Sequence, residues 1–134
     1  MRSPNTAALL TALFLTSFVS LSVSAAASIS LSSDSMAKAA TTDDPAEYTI
    51  TVLNDGDEDL TVTLSTSQAA DCNGFTSNLD SSVVNVGQGE SESVTLTVSI
   101  NDQASGECET TVNANGVGTN PSDNAQDDIT VTTT

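Results

Sequence analysis

The stretch Tyr48–Ser65, YTITVLNDGDEDLTVTLS, decides the fold. On its first side Tyr48, Ile50 and Val52 alternate with Thr49 and Thr51, and on its second Leu60, Val62 and Leu64 alternate with Thr61, Thr63 and Ser65. A period of two turns the apolar residues to one face of an extended chain and the hydroxyls to the other, so each run is a strand with one buried face. Between them stand five residues, four of them acidic, Asp55 to Asp59. Asn54, Asp55 and Gly56 are residue types that tolerate positive φ, so the expected link is a tight, solvated hairpin tip. The competing reading takes Asp55, Asp57 and Asp59 as half of an oxygen-ligand loop with weak calcium or sodium affinity, although the closing bidentate Glu of such loops is missing at the EF-hand distance.

The same alternation recurs along the chain. Strands are predicted at Ser28–Ser33, Glu47–Leu53, Leu60–Thr66, Ser82–Val86, Ser91–Ile100, Glu107–Ala114 and Asp128–Thr133, and no segment carries helical periodicity. Their apolar sides collect Val94, Leu96, Val98 and Ile100, then Cys108, Val112 and Ala114, then Ile129 and Val131. One antiparallel sheet with this pattern would leave its apolar face in water, so two sheets must close on each other. The expected fold class is all-β, an immunoglobulin-like antiparallel β-sandwich of about seven strands. Met36–Pro45 reads as a connector that lets the first strand change sheet, and Asp71–Ser81 and Val117–Gln126 read as long loops.

Upstream, Arg2 precedes an uncharged stretch, Thr6 to Ala27, that ends in small residues, SVSAAAS. A basic start, a short apolar core and an A-x-A-like end form the pattern of a secretory signal peptide, cleaved after Ala25 or Ala27. The expected organisation is residues 1–27 as signal peptide and 28–134 as the sandwich domain, which places the protein outside the cell or on its surface. A retained N-terminal helix is the alternative, since Ala7–Ala27 is long enough for a bilayer core of about 30 Å.

Beyond the predicted cleavage site the chain keeps all 18 acids and one base, Lys38, a net charge of 1 − 18 = −17. With no basic patch it has nothing to offer phosphate backbones or anionic lipid, which excludes nucleic acid and, after signal cleavage, membrane as partners. An acidic surface with almost no base holds water and counter-cations, pointing to a saline habitat such as that of a halophilic archaeon or bacterium; an ordinary acidic secreted protein is the alternative. The remaining expected partners are other proteins at the cell surface, or further copies of the chain.

Cys72 and Cys108 are the two cysteines. Export delivers them to an oxidising compartment, where one disulfide is expected. A C-x-x-C spacing is absent and the chain has no histidine to complete a zinc site. Without His, and with one base in the mature chain, acid–base catalysis would fall to carboxylates that nothing desolvates, so the chain is read as no enzyme, with no catalytic residues and no cofactor beyond the weak calcium candidate. A second acidic cluster, Asp123, Asp127 and Asp128, is a weaker candidate of the same kind. Tyr48 is assigned to the core and Phe75 to a position over the disulfide, which leaves no aromatic platform for a sugar.

The strand ending in Asn-x-Gly (Asn54, Gly56), and the Val-x-x-Gly-x-Ser (Val86, Gly89, Ser91) that opens a long strand, resemble the secreted immunoglobulin-like or fibronectin-III-like domains grouped as CARDB and NEW3, common in archaeal and bacterial surface proteins. The resemblance implies a domain that spaces, displays or joins other parts and carries no catalytic residues. Taken together, the sequence reads as a non-enzymatic extracellular or cell-surface structural or adhesion domain. Two alternatives stand beside it: a subunit of an extracellular filament, assembled by strand exchange or pilin-like, and a small calcium- or carbohydrate-binding module.

Overall fold

The computed structural model describes residues 26–134, so most of the predicted signal segment lies outside the described residues. Every regular element within them is a strand: β1 (Ile29–Ser33), β2 (Ala37–Lys38), β3 (Ala46–Asn54), β4 (Leu60–Gln68), β5 (Phe75–Leu79), β6 (Val83–Val86), β7 (Ser91–Ile100), β8 (Cys108–Val117) and β9 (Asn124–Thr133). They form a four-stranded sheet in the order β1-β3-β7-β5 and a five-stranded sheet in the order β2-β9-β8-β4-β6. All pairings are antiparallel except the short parallel contact of β2 with β9.

The alternation read from the sequence is the alternation of burial. Tyr48, Ile50, Val52, Val62, Leu96, Val98, Cys108, Val112 and Val131 are all fully buried, and the Thr and Ser between them face outward or lie half-buried, except Thr110, which is buried with its neighbours on β8. Removing this apolar surface from water drives the two sheets together, at roughly 25 cal/mol for each Å² buried. Tyr48 is buried with its hydroxyl satisfied: it donates to the Thr132 carbonyl at 2.7 Å and accepts from the Lys38 amide at 3.0 Å. One core side chain thereby fastens β2 and the end of β9 to β3 of the opposite sheet.

The connector after β1 does carry the chain from one sheet to the other, since β1 pairs with β3 and β2 with β9. Three expectations are corrected. The strands number nine, because β2 and β5 also form. β5 falls inside the segment read as the loop Asp71–Ser81; its sequence FTSNL puts Ser77 between Phe75 and Leu79, which dilutes the apolar period. The loop expected at Val117–Gln126 shrinks to 118–123, because β8 runs to Val117 and β9 starts at Asn124, where backbone pairing with β8 orders a polar sequence.

The third correction concerns the opening stretch. β3 and β4 lie in different sheets, so Asp55–Asp59 is an arch between sheets and not a hairpin tip. No residue other than glycine has positive φ among the described residues, and Gly56 does not have it either. Two adjacent alternating runs look alike whether they pair side by side or stack face to face, since local periodicity fixes the buried face and not the partner.

Candidate functional site

Asn54 ends β3 and is completely buried. Its side-chain amide donates to the carbonyls of Glu58 at 2.6 Å and Val86 at 3.0 Å, and its Oδ1 accepts from the Gly56 amide at 3.1 Å. Its backbone N–H donates to Glu90 and its carbonyl accepts from Gly89, at 3.0 and 2.9 Å. Asn54-x-Gly56 and Val86-x-x-Gly89 are therefore two halves of one interlock, which joins the β3–β4 arch to the β6–β7 turn. Gly89 supplies the left-handed conformation of that turn, with φ 71°. Gly56 serves another need: a Cβ there would lie 2.5 Å from the Ala26 carbonyl oxygen and 2.7 Å from the Ser28 nitrogen, so only glycine lets the incoming chain pass.

The arch carboxylates accept from backbone amides or face water, except Glu58 Oε1, which is buried with no hydrogen-bond partner among the described residues. Asp59 accepts from the Gln88 N–H at 2.9 Å and Glu58 from the Thr119 N–H at 3.1 Å, while Asp55 and Asp57 are exposed. Among the described residues no three Asp, Glu, His or Cys side chains are placed to hold a metal ion. The second acidic cluster is divided by the strand pleat. Asp123 lies in the β8–β9 loop, Asp128 faces solvent, and Asp127 turns inward, where its carboxylate accepts the outward-pointing N–H of Leu31 at 2.7 Å. This contact closes the β1 edge of one sheet against the β9 edge of the other, a role the sequence reading missed and that only the adjacency Asp127–Asp128 hinted at.

Cys72 and Cys108 form a disulfide, with Cα atoms 4.9 Å apart, tying the β4–β5 loop to the start of β8. Phe75, three residues on, is buried in the core against which Cys72 packs. Lys38 is committed as well. Its ammonium pairs with Asp34 at 2.6 Å, donates to the Glu47 carbonyl, and lies 5.2 Å from the centre of the Tyr48 ring. The hydrogen bond from Lys38, with that from the Thr49 amide, holds the Asp34 carboxyl below its ordinary value of 3.8.

Both outer faces are hydroxyl and amide arrays. Thr111 and Thr130 join across β8 and β9 at 2.8 Å, Thr51 and Ser93 across β3 and β7 at 3.3 Å, and Gln126 donates to Asn115 at 3.2 Å. A shallow polar groove of about 420 Å³, lined in part by Thr63, Ser65, Asn113 and Gln126, crosses the five-stranded sheet.

The fold is immunoglobulin-like. The chain is similar to the ASH/PapD-like domain 7 of human CEP192, with a TM-score of 0.58 at 10% identity over 78% of this chain and 82% of that one. It is similar also to SSP-19, an MSP-domain-like protein of Caenorhabditis elegans, with a TM-score of 0.53 at 15% identity over 77% of this chain and 98% of that one. The YadV chaperone gives a TM-score of 0.50 at 15% identity, covering 78% of this chain and 49% of that one. At these identities the likeness is one of fold. No family model and no curated protein matches the sequence.

Proposed function

We propose that this protein is a non-enzymatic structural or adhesion domain that works outside the cell by packing against other proteins. One observation carries the reading: the side chains most able to do chemistry are used up in holding the fold. The single tyrosine is buried and bonded, the one lysine is paired, and both thiols are joined. What remains at the surface is mostly Thr, Ser, Asn, Gln and carboxylate on paired strands, with Met36, Leu53 and Val83 among them, a surface for contact. The disulfide supports an extracytoplasmic location, because such bonds persist in oxidising compartments. Closeness to the CARDB and NEW3 domains of surface proteins is the finer reading, supported by the meeting of the two short motifs at Asn54. The charge of −17 that residues 26–134 carry, 1 − 18, supports a saline habitat.

The test is location together with thiol state. Intact cells should expose the protein to added protease or antibody, or release it to the medium, with Cys72 joined to Cys108 on non-reducing peptide mapping. Protein recovered from the cytosol with two free thiols would overturn the reading.

A further inference from the structure

The sandwich has two lateral sides, and they are built differently. On one, the edges β1 and β9 close on each other through Leu31 and Asp127, and β2 covers the end of β9. On the other, β5 ends the four-stranded sheet and β6 the five-stranded one, and neither has a further partner strand among the described residues. Exposed edges are ordinarily blunted with charge, proline or a bulge. Here the opposite holds: FTSNL and VVNV have no charged residue, proline or glycine, and Val83 is 50% exposed. In the 30 residues from Leu60 to Gly89 only Asp71 and Asp80 are charged, which leaves 18 − 2 = 16 acids elsewhere.

The backbone of β5 is set for pairing. Asn101 donates to the Gly74 carbonyl and Asp80 to that of Thr95, so the even-numbered residues of β5 face β7, and the N–H and C=O groups of Phe75, Ser77 and Leu79 point outward. The Phe75 N–H turns back to the Cys72 carbonyl, which leaves Ser77 and Leu79 as outward donors.

We propose that β5 is where two copies of this chain join, antiparallel about a two-fold axis at Ser77, giving one continuous sheet of eight strands from two of four. The axis sets Ser77 against Ser77, where they exchange both backbone hydrogen bonds, and Phe75 against Leu79, where the Leu79 N–H meets the Phe75 carbonyl. Leu79, half-buried in the single chain, gains cover from the other copy's Phe75. Charge selects this partner. A basic protein would be drawn to the acid-rich arch and loops, whereas a chain carrying −17 approaches another at least cost through its charge-poor side. In this register Asp80 lies opposite Gly74, and the two Asp80 residues are roughly 20 Å apart along the strands, well beyond a Debye length of about 3 Å at 1 M salt. The proposal names the partner for the packing role above; its failure would leave the non-enzymatic reading and its location test untouched.

Sedimentation of the purified protein at low and at molar salt, across a concentration series, tests it with two variants. Ser77→Pro removes the central outward N–H while leaving the β7 ladder intact, a placement that edge strands tolerate. Thr76→Glu with Asn78→Glu puts like charges side by side across the axis. The wild type should be a reversible dimer with its Ser77 and Leu79 amides protected from exchange only at high concentration. Ser77→Pro should stay monomeric with its disulfide intact and a melting temperature slightly below that of dilute wild type, since it also loses the 3.2 Å bond from Ser77 Oγ to Thr66 Oγ1, and the double variant should dimerise at least about tenfold more weakly at low salt, recovering in molar salt. If Ser77→Pro fails to fold, the double variant decides alone. A wild type that remains monomeric at every concentration, or variants that dimerise like the wild type at low salt, would refute the proposal.

Discussion

Replacing Asn54 probes the interlock at the end of β3. Asn54→Ala removes three side-chain hydrogen bonds, one of them a second bond to the Val86 carbonyl, which keeps its ladder partner Leu60. Each contributes about 0.5–1.5 kcal/mol, so the loss sums to roughly 1.5–4.5 kcal/mol. Asn54→Asp separates hydrogen bonding from packing. It has nearly the same shape and still accepts from Gly56, but it turns a carboxylate oxygen toward the carbonyls of Glu58 and Val86. Acceptor then faces acceptor at a fully buried position, and Asp should cost at least as much as Ala. Urea unfolding in molar salt with the disulfide intact measures both, with exposed Asn85→Ala as a control expected to change stability by less than about 0.5 kcal/mol. Should Asn54→Asp prove as stable as the wild type, the donor role of Asn54 and the interlock built on it would be wrong.

Gly56→Ala should destabilise by about 1–3 kcal/mol through collision with Ala26 and Ser28, and an unchanged midpoint would show that the incoming chain does not pass there. Replacing Cys72 and Cys108 by Ser should cost roughly 3–4 kcal/mol for a loop spanning a separation of 36 residues, measured by the same unfolding assay. Because residues 26–134 carry 1 − 18 = −17 charges, the melting temperature should climb as sodium chloride rises from millimolar to molar; indifference to salt would remove the argument for a saline habitat. Asp34→Asn should be less stable than the wild type at neutral pH. Since the carboxyl is held below 3.8, its contribution is present above that value and is lost as pH falls through the lowered pKa, so the two curves should merge in strong acid and a gap that persists there would exclude this ion pair as its source.

Much of the sandwich is legible in the chain, because its period-two alternation is a property of single strands. Tyr48, Ile50, Val52, Leu60, Val62, Leu64, Val94, Leu96 and Val98 announce their burial by spacing alone, and all are buried. The disulfide follows from two cysteines and an export signal pattern, and it forms. The charge and the lack of histidine equally need no coordinates. What the chain does not declare is which strand meets which. The arch at Asp55–Asp59 looked like a hairpin because pairing and stacking leave the same local pattern, and only the register of β4 with β6 and β8 separates them. Asn54 and Asp127 owe their roles to partners distant in sequence, Val86 and Leu31, and β5 is an edge among the described residues because of where β7 places it. A buried amide, an inward carboxylate and an uncharged open edge acquire meaning when the two sheets close, since hydrogen-bond satisfaction is settled by what lies across space and composition records only what could be satisfied.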